Sequence, residues 1–114
     1  MSRMVLVVDD DSSVLETIVL MLEELGCEVV SAANGPEAHD QLSRNERIEV
    51  LITDINMPDM DGHELAHRAR RIRPQLRVLQ LSGRERRRDA YPMIRKPFSL
   101  EDLASKMQQT TGTC

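Results

Sequence analysis

Apolar and polar positions follow two rhythms along the chain. Met4–Val8 is an unbroken apolar run that stops at three acids, Asp9, Asp10 and Asp11. A short run of that kind predicts a strand covered on both faces, as in parallel sheets. Over residues 12–25 the period changes to that of a helix, with Val14, Ile18, Met21, Leu22 and Leu25 on one stripe. Gly26 follows, where a helix-ending glycine belongs. Glu28–Ser31 predicts a second strand. Asn34-Gly35-Pro36-Glu37 has the form of a helix start, with an Asn cap, an early Pro and a Glu three after the cap; this helix is expected to end near Leu42. Val50–Thr53 predicts a third strand, closed by Asp54 and followed by a loop through Gly62. His63–Ile72 predicts a helix that Pro74 stops. Leu76–Leu81 reads as a fourth strand before Ser82-Gly83, and Arg84–Tyr91 is polar and basic. Met93–Arg95 reads as a short fifth strand before Lys96-Pro97. Ser99, with Asp102 three residues on, caps a last helix whose stripe is Leu100, Leu103 and Met107. The tail Gln108–Cys114 is expected to fray.

Strand and helix thus alternate five times, which predicts an α/β fold with an open parallel sheet and helices on both faces. The 114 residues suffice for one domain and one core, expected over residues 4–108 with a frayed 109–114 tail. In doubly wound folds a ligand site lies beyond the carboxyl ends of the strands, where strand order reverses. What collects there is informative. The first strand ends in Asp9 and Asp10, the third in Asp54 with Asn56 two residues on, the fourth in Ser82 and the fifth in Lys96. Taken singly, each has an ordinary role: a helix-cap acid, a loop acid, a turn serine, a surface lysine. Taken together they predict a site. If the first and third strands are neighbours, three carboxylates share a small volume and repel unless a cation sits among them. Mg2+ suits a site of few oxygen ligands and several waters. A hydroxyl and an ammonium beside that metal would bind the oxygens of a phosphoryl group. Asp54, flanked by the others, is the best nucleophile to accept one.

Composition narrows the remaining choices. The net charge of −4 and the near absence of aromatics, one Tyr and one Phe, argue against nucleic acid as a direct partner. The longest apolar runs are five residues, against roughly 20 for a membrane span. The N-terminus lacks a secretory pattern. Cys27 and Cys114 stand far apart in sequence, which predicts no disulfide framework and suits a reducing, cytoplasmic setting.

Val7-Val8-Asp9-Asp10-Asp11, Ile52-Thr53-Asp54 running through Asn56-Met57-Pro58-Asp59-Met60-Asp61-Gly62, Leu81-Ser82-Gly83 and Lys96-Pro97-Phe98 resemble the receiver domain of bacterial response regulators, the CheY-like fold. The resemblance spans residues 4 to 108. It implies a flavodoxin-like sheet in the order 2-1-3-4-5. It also implies phosphotransfer to Asp54 from a histidine kinase or histidine phosphotransfer protein, in a two-component or phosphorelay system. On the matching positions, Asp10 and Asp54 would ligate Mg2+, Asp9 would do so directly or through water, and Asn56 would add its backbone carbonyl. Ser82 and Lys96 would contact the phosphoryl oxygens, and Lys96–Pro97 would be a cis peptide. Such a domain catalyses only its own phosphorylation and slow dephosphorylation, turning over no external substrate. It could stand alone or be the receiver piece of a hybrid histidine kinase. A degenerate receiver acting only as an interaction module is the alternative, against which the intact acids and lysine argue.

Other motifs fit less well. His63-Glu64-Leu65-Ala66-His67 matches the helical zinc-protease pattern, but no third ligand follows at the required offset. The acids around Gly62 fail as an EF-hand, since its first and twelfth positions would be Met57 and Arg68. An aspartyl phosphatase wants a second acid two residues after its nucleophile, where this chain has Asn56. Arg84, Arg86, Arg87 and Arg88 read as a solvated loop.

The chain also departs from its family. Only 11 residues separate Leu81 from Met93, close to the roughly 10–12 a helical crossover requires. The helix between the fourth and fifth strands is therefore expected to be shortened or missing. Met93 stands three residues before Lys96, where the family usually has Tyr or Phe, so an aromatic rotor cannot work in the usual way. A monomer lacking the usual dimer face is expected. On the first helix, Val19 and Leu20 lie outside the core arc, beside the acidic site where the family docks its phosphodonor.

Overall fold

The structure, a computed structural model, describes residues 3–83 and 92–111. Five strands, β1 (Met4–Val8), β2 (Glu28–Ala32), β3 (Ile48–Asp54), β4 (Arg77–Ser82) and β5 (Met93–Arg95), form one parallel sheet in the order β2-β1-β3-β4-β5. Among the described residues there are four helices, α1 (Ser12–Glu24), α2 (Gly35–Arg44), α3 (Gly62–Ile72) and α4 (Leu100–Thr111). This is the flavodoxin-like order. The expected shortening of the helix between β4 and β5 falls on residues 84–91, which lie outside the described residues.

The two-sided burial of the strands follows from their sequence. Val5 and Val7 of β1, Val50 and Ile52 of β3, and Leu79 and Leu81 of β4 face α1 and α4, packing with Ile18, Leu22, Leu103 and Met107. The alternate residues Leu6, Val8, Leu51 and Val78 face α2 and α3, packing with Ala38, Leu42, Leu65 and Ala69. β3 is the centre of the sheet and every residue of it but Glu49 is buried, so its acid at the end is delivered by the most rigid element available.

Local chemistry sets the helix ends. The Asp11 carboxylate accepts the N–H groups of Ser13 and Val14 and starts α1. Gly26 closes it at φ +90, a conformation costly for other residues. Asn34 caps α2 on the Glu37 N–H, and Asp61 caps α3 on the Glu64 N–H. Ser99 and Asp102 exchange backbone N–H bonds in a capping box that starts α4. Arg73, just past α3, donates to the carbonyls of Leu42 and Ile48, tying the ends of α2 and α3 to the start of β3.

Cys27, buried at the corner between α1 and β2, is disulfide-bonded, which corrects the expectation of reduced thiols. Cys114, the chain's other cysteine, lies outside the described residues. No described helix is long and apolar enough to cross a membrane.

Candidate functional site

Register alone brings the predicted side chains together. Val8 of β1 pairs with Thr53 of β3, so the next residues, Asp9 and Asp54, leave the sheet side by side. Asp54 pairs in turn with Leu81 of β4, which sets Ser82 one step beyond. Ser82 pairs with Arg95 of β5, so Lys96 emerges next. Asp9, Asp54 and Ser82 are all buried, whereas Asp10 and Asn56 are exposed.

Carboxylate oxygens of Asp9, Asp10 and Asp54 lie within 4.8 Å of one another. The Lys96 Nζ donates to Asp9 Oδ2 at 2.9 Å and stands 3.4 Å from Asp54 Oδ1. The other Asp9 oxygen accepts the Asp11 N–H at 2.9 Å. The Asn56 backbone N–H bonds the Asp54 carboxylate. Ser82 is held through its carbonyl, which accepts the Lys96 N–H at 2.7 Å. The Lys96–Pro97 peptide is cis, as expected.

Electrostatics here is unbalanced. Burial pushes the Asp54 carboxyl above its ordinary 3.8; Lys96 opposes that rise and the neighbouring Asp9 adds to it. Burial also disfavours the Lys96 ammonium, but its hydrogen bond to Asp9 and the charge of Asp54 outweigh this and hold it above 10.5. One ammonium thus faces three carboxylates. The three hard oxygen donors, open on the exposed Asp10 side, fit a small divalent cation that would relieve the excess charge.

One structural requirement escaped the sequence reading. The Gly62 N–H bonds the Ile55 carbonyl at 2.8 Å, and a Cβ at Gly62 would stand 2.3 Å from the Asp54 carbonyl oxygen. Gly62 lets α3 start directly against the backbone of the nucleophile. The Asp-Gly pair was the available signal. The zinc-protease motif does not assemble: His63 sits 3.4 Å from Gln80 Nε2 while His67 is exposed. Among the described residues, Asp9, Asp10 and Asp54 form the only cluster of three metal-ligating side chains. The Arg84–Arg88 run lies outside the described residues.

Beside the acids runs an apolar groove of about 570 Å3, lined by Val14, Thr17, Ile18 and Met21 of α1 and by Pro97 and Phe98. Val19 is half-buried and Leu20 is 60% exposed.

Residues 5–108 match the family model described as the response regulator receiver domain. The response regulator receiver protein CpdR of Brucella abortus is 34% identical over 116 residues, covering 94% of this chain and 95% of that one. The solved chemotaxis protein CheY4 of Vibrio cholerae superposes with a TM-score of 0.88 at 30% identity, covering 96% of this chain and 99% of its own. The receiver domain of the hybrid histidine kinase CckA does so at 0.83 and 32%, covering 93% and 96%. With the register-built acidic site and the strand order, these likenesses make this chain a member of the response regulator receiver domain family.

Proposed function

We propose that this domain accepts a phosphoryl group on Asp54 from the phosphohistidine of a histidine kinase or histidine phosphotransfer protein. The observation that carries this reading is the Asp54 carboxylate at the buried end of β3, 3.4 Å from the Lys96 ammonium and crowded by Asp9 and Asp10. An Asp54 oxygen attacks phosphorus; the P–O bond forms as the P–N bond breaks, and the departing imidazole keeps the electron pair. Lys96 leaves Asp9 far enough to meet a phosphoryl oxygen, and the Ser82 hydroxyl meets another. The Asn56 N–H keeps Asp54 oriented. Mg2+, held by Asp9, Asp10, Asp54 and the Asn56 backbone carbonyl, would screen the charge on the phosphoryl oxygens. Later attack by water on phosphorus returns the free carboxylate, so no external substrate is turned over.

This reading makes the whole chain one receiver domain. It acts in the cytoplasm as a monomer, either alone or as the receiver of a hybrid kinase, and without direct contact to nucleic acid. The likeness to both the chemotaxis protein CheY4 and the CckA hybrid kinase receiver supports either setting. Incubation with acetyl phosphate and Mg2+ should add the mass of one phosphoryl group, lost in Asp54→Asn and with chelator present. An unchanged mass in the wild type would instead establish a degenerate receiver that serves only as an interaction module.

A further inference from the structure

A second concave site lies at the opposite end of the sheet, where strands begin and helices finish. Ile48 and Asp54 bound β3, so the two ends are roughly 20 Å apart at about 3.3 Å per residue. The cleft there has a volume of about 760 Å3. Its walls carry four guanidinium groups, Arg3, Arg70, Arg73 and Arg77, against two carboxylates, Glu46 and Glu49, with an apolar floor.

Part of that chemistry is used by the fold. Arg73 is committed to the Leu42 and Ile48 carbonyls, and Arg3 pairs with Glu49 at 3.2 Å. Arg70 donates one nitrogen to the Leu76 carbonyl at 2.8 Å, which fixes its guanidinium while other N–H groups stay available. Arg77 is exposed on the first residue of β4, and Glu46 is exposed across the cleft. The remaining N–H groups of Arg70 and the exposed Arg77, beside Arg3 and Arg73 on a protein whose overall charge is −4, form a local anion site.

We infer that this basal cleft binds a small phosphorylated ligand of nucleoside diphosphate size, its phosphates on Arg70 and Arg77 and its hydrogen-bond donors on Glu46 and Glu49. The volume suits a ligand of that class. The same two carboxylates disfavour a continuous polyphosphate backbone, and no lining residue is aromatic, so the stacking that single-stranded nucleic acid needs is missing. A guanine edge, rich in N–H donors, is the kind of group a carboxylate recognises.

Titration of GDP into the 15N-labelled Asp54→Asn protein in EDTA tests this with the phosphoacceptor end silenced. GDP should shift the backbone amides of Arg73, Leu76 and Arg77 saturably and leave those of Asp10 and Asn56 in place. Arg77→Ala in the same background should weaken GDP about tenfold, the loss expected for one charge-assisted contact. The single variant Arg77→Ala should still be labelled by acetyl phosphate, which shows it folded. Absence of shifts at millimolar GDP, binding indifferent to Arg77→Ala, or equal shifts with heparin would each overturn the assignment, the last by making the cleft a nonspecific polyanion surface.

Discussion

Asp54 carries both the chemistry and a cost in stability. Its carboxyl is raised above 3.8, chiefly by burial, so folding tightens its proton. The stabilisation this brings is fully present below the ordinary carboxylate pKa and is lost as pH rises through the folded value. At neutral pH the ionised Asp54 therefore opposes folding when no metal is bound. Asp54→Asn should melt a few degrees above the wild type at pH 7 in EDTA, and the gap should close below pH 4, where both side chains are neutral. A gap independent of pH would mean that Asn packs better and that charge is irrelevant. Lys96 keeps its closer partner, Asp9 at 2.9 Å, so the substitution does not strand the ammonium. Each of these residues was visible in the sequence, because each stands just past a segment that reads as a short strand. Their pairing was not. The resemblance places Lys96 on a phosphoryl group; in the structure it spans Asp9 and Asp54, a distance that depends on strand register.

At the scale of elements, α1 lines the apolar groove beside the site. Its inner stripe includes Ile18 and Leu22, both buried, and Leu15 adds to the expected set by packing against the same cluster. Leu20 is 60% exposed and lies seven residues after Ser13, hence at almost the same angle on the helix, along the rim of the apolar groove. A phosphodonor helix laid across the groove would cover Leu20. Leu20→Lys should therefore slow transfer from a phosphohistidine protein about tenfold while labelling by acetyl phosphate keeps its rate; slowing of both would indicate a damaged fold. Among the described residues the expected elements are present and most ends lie within two residues of expectation, but α4 continues to Thr111, through part of the tail expected to fray. β3 reaches Ile48 and Asp54 instead of stopping at Val50 and Thr53, because Arg73 and the neighbouring strands hold its ends. Contacts such as Arg73 on Leu42, or Gly35 against the Met60 side chain, join residues far apart in sequence and leave no periodic trace.

Over the whole molecule, charge is distributed unevenly. Residues 1–43 hold nine acidic side chains and one basic, whereas the other 71 hold ten acidic and fourteen basic. The acids at the carboxyl ends of β1 and β3 and the arginines around the strand starts give the fold an acidic pole and a basic one. Two copies meeting at their acidic ends would repel. Among the described residues the large exposed apolar side chains are Leu20 and Ile72. They sit on α1 and α3, on opposite faces of the sheet, and so do not merge into one patch; among the described residues the continuous apolar surface is the groove of α1, Pro97 and Phe98. In sequence, residues 83–92 contribute four arginines, a glutamate and an aspartate. Loading Asp54 with beryllofluoride and Mg2+ lowers the excess negative charge by about one unit and adds no apolar surface of its own. Light scattering at about 100 μM protein should then return the monomer mass before and after beryllofluoride. A dimer that forms only with beryllofluoride and persists in high salt would refute this, since salt screens any attraction between the acidic and basic poles.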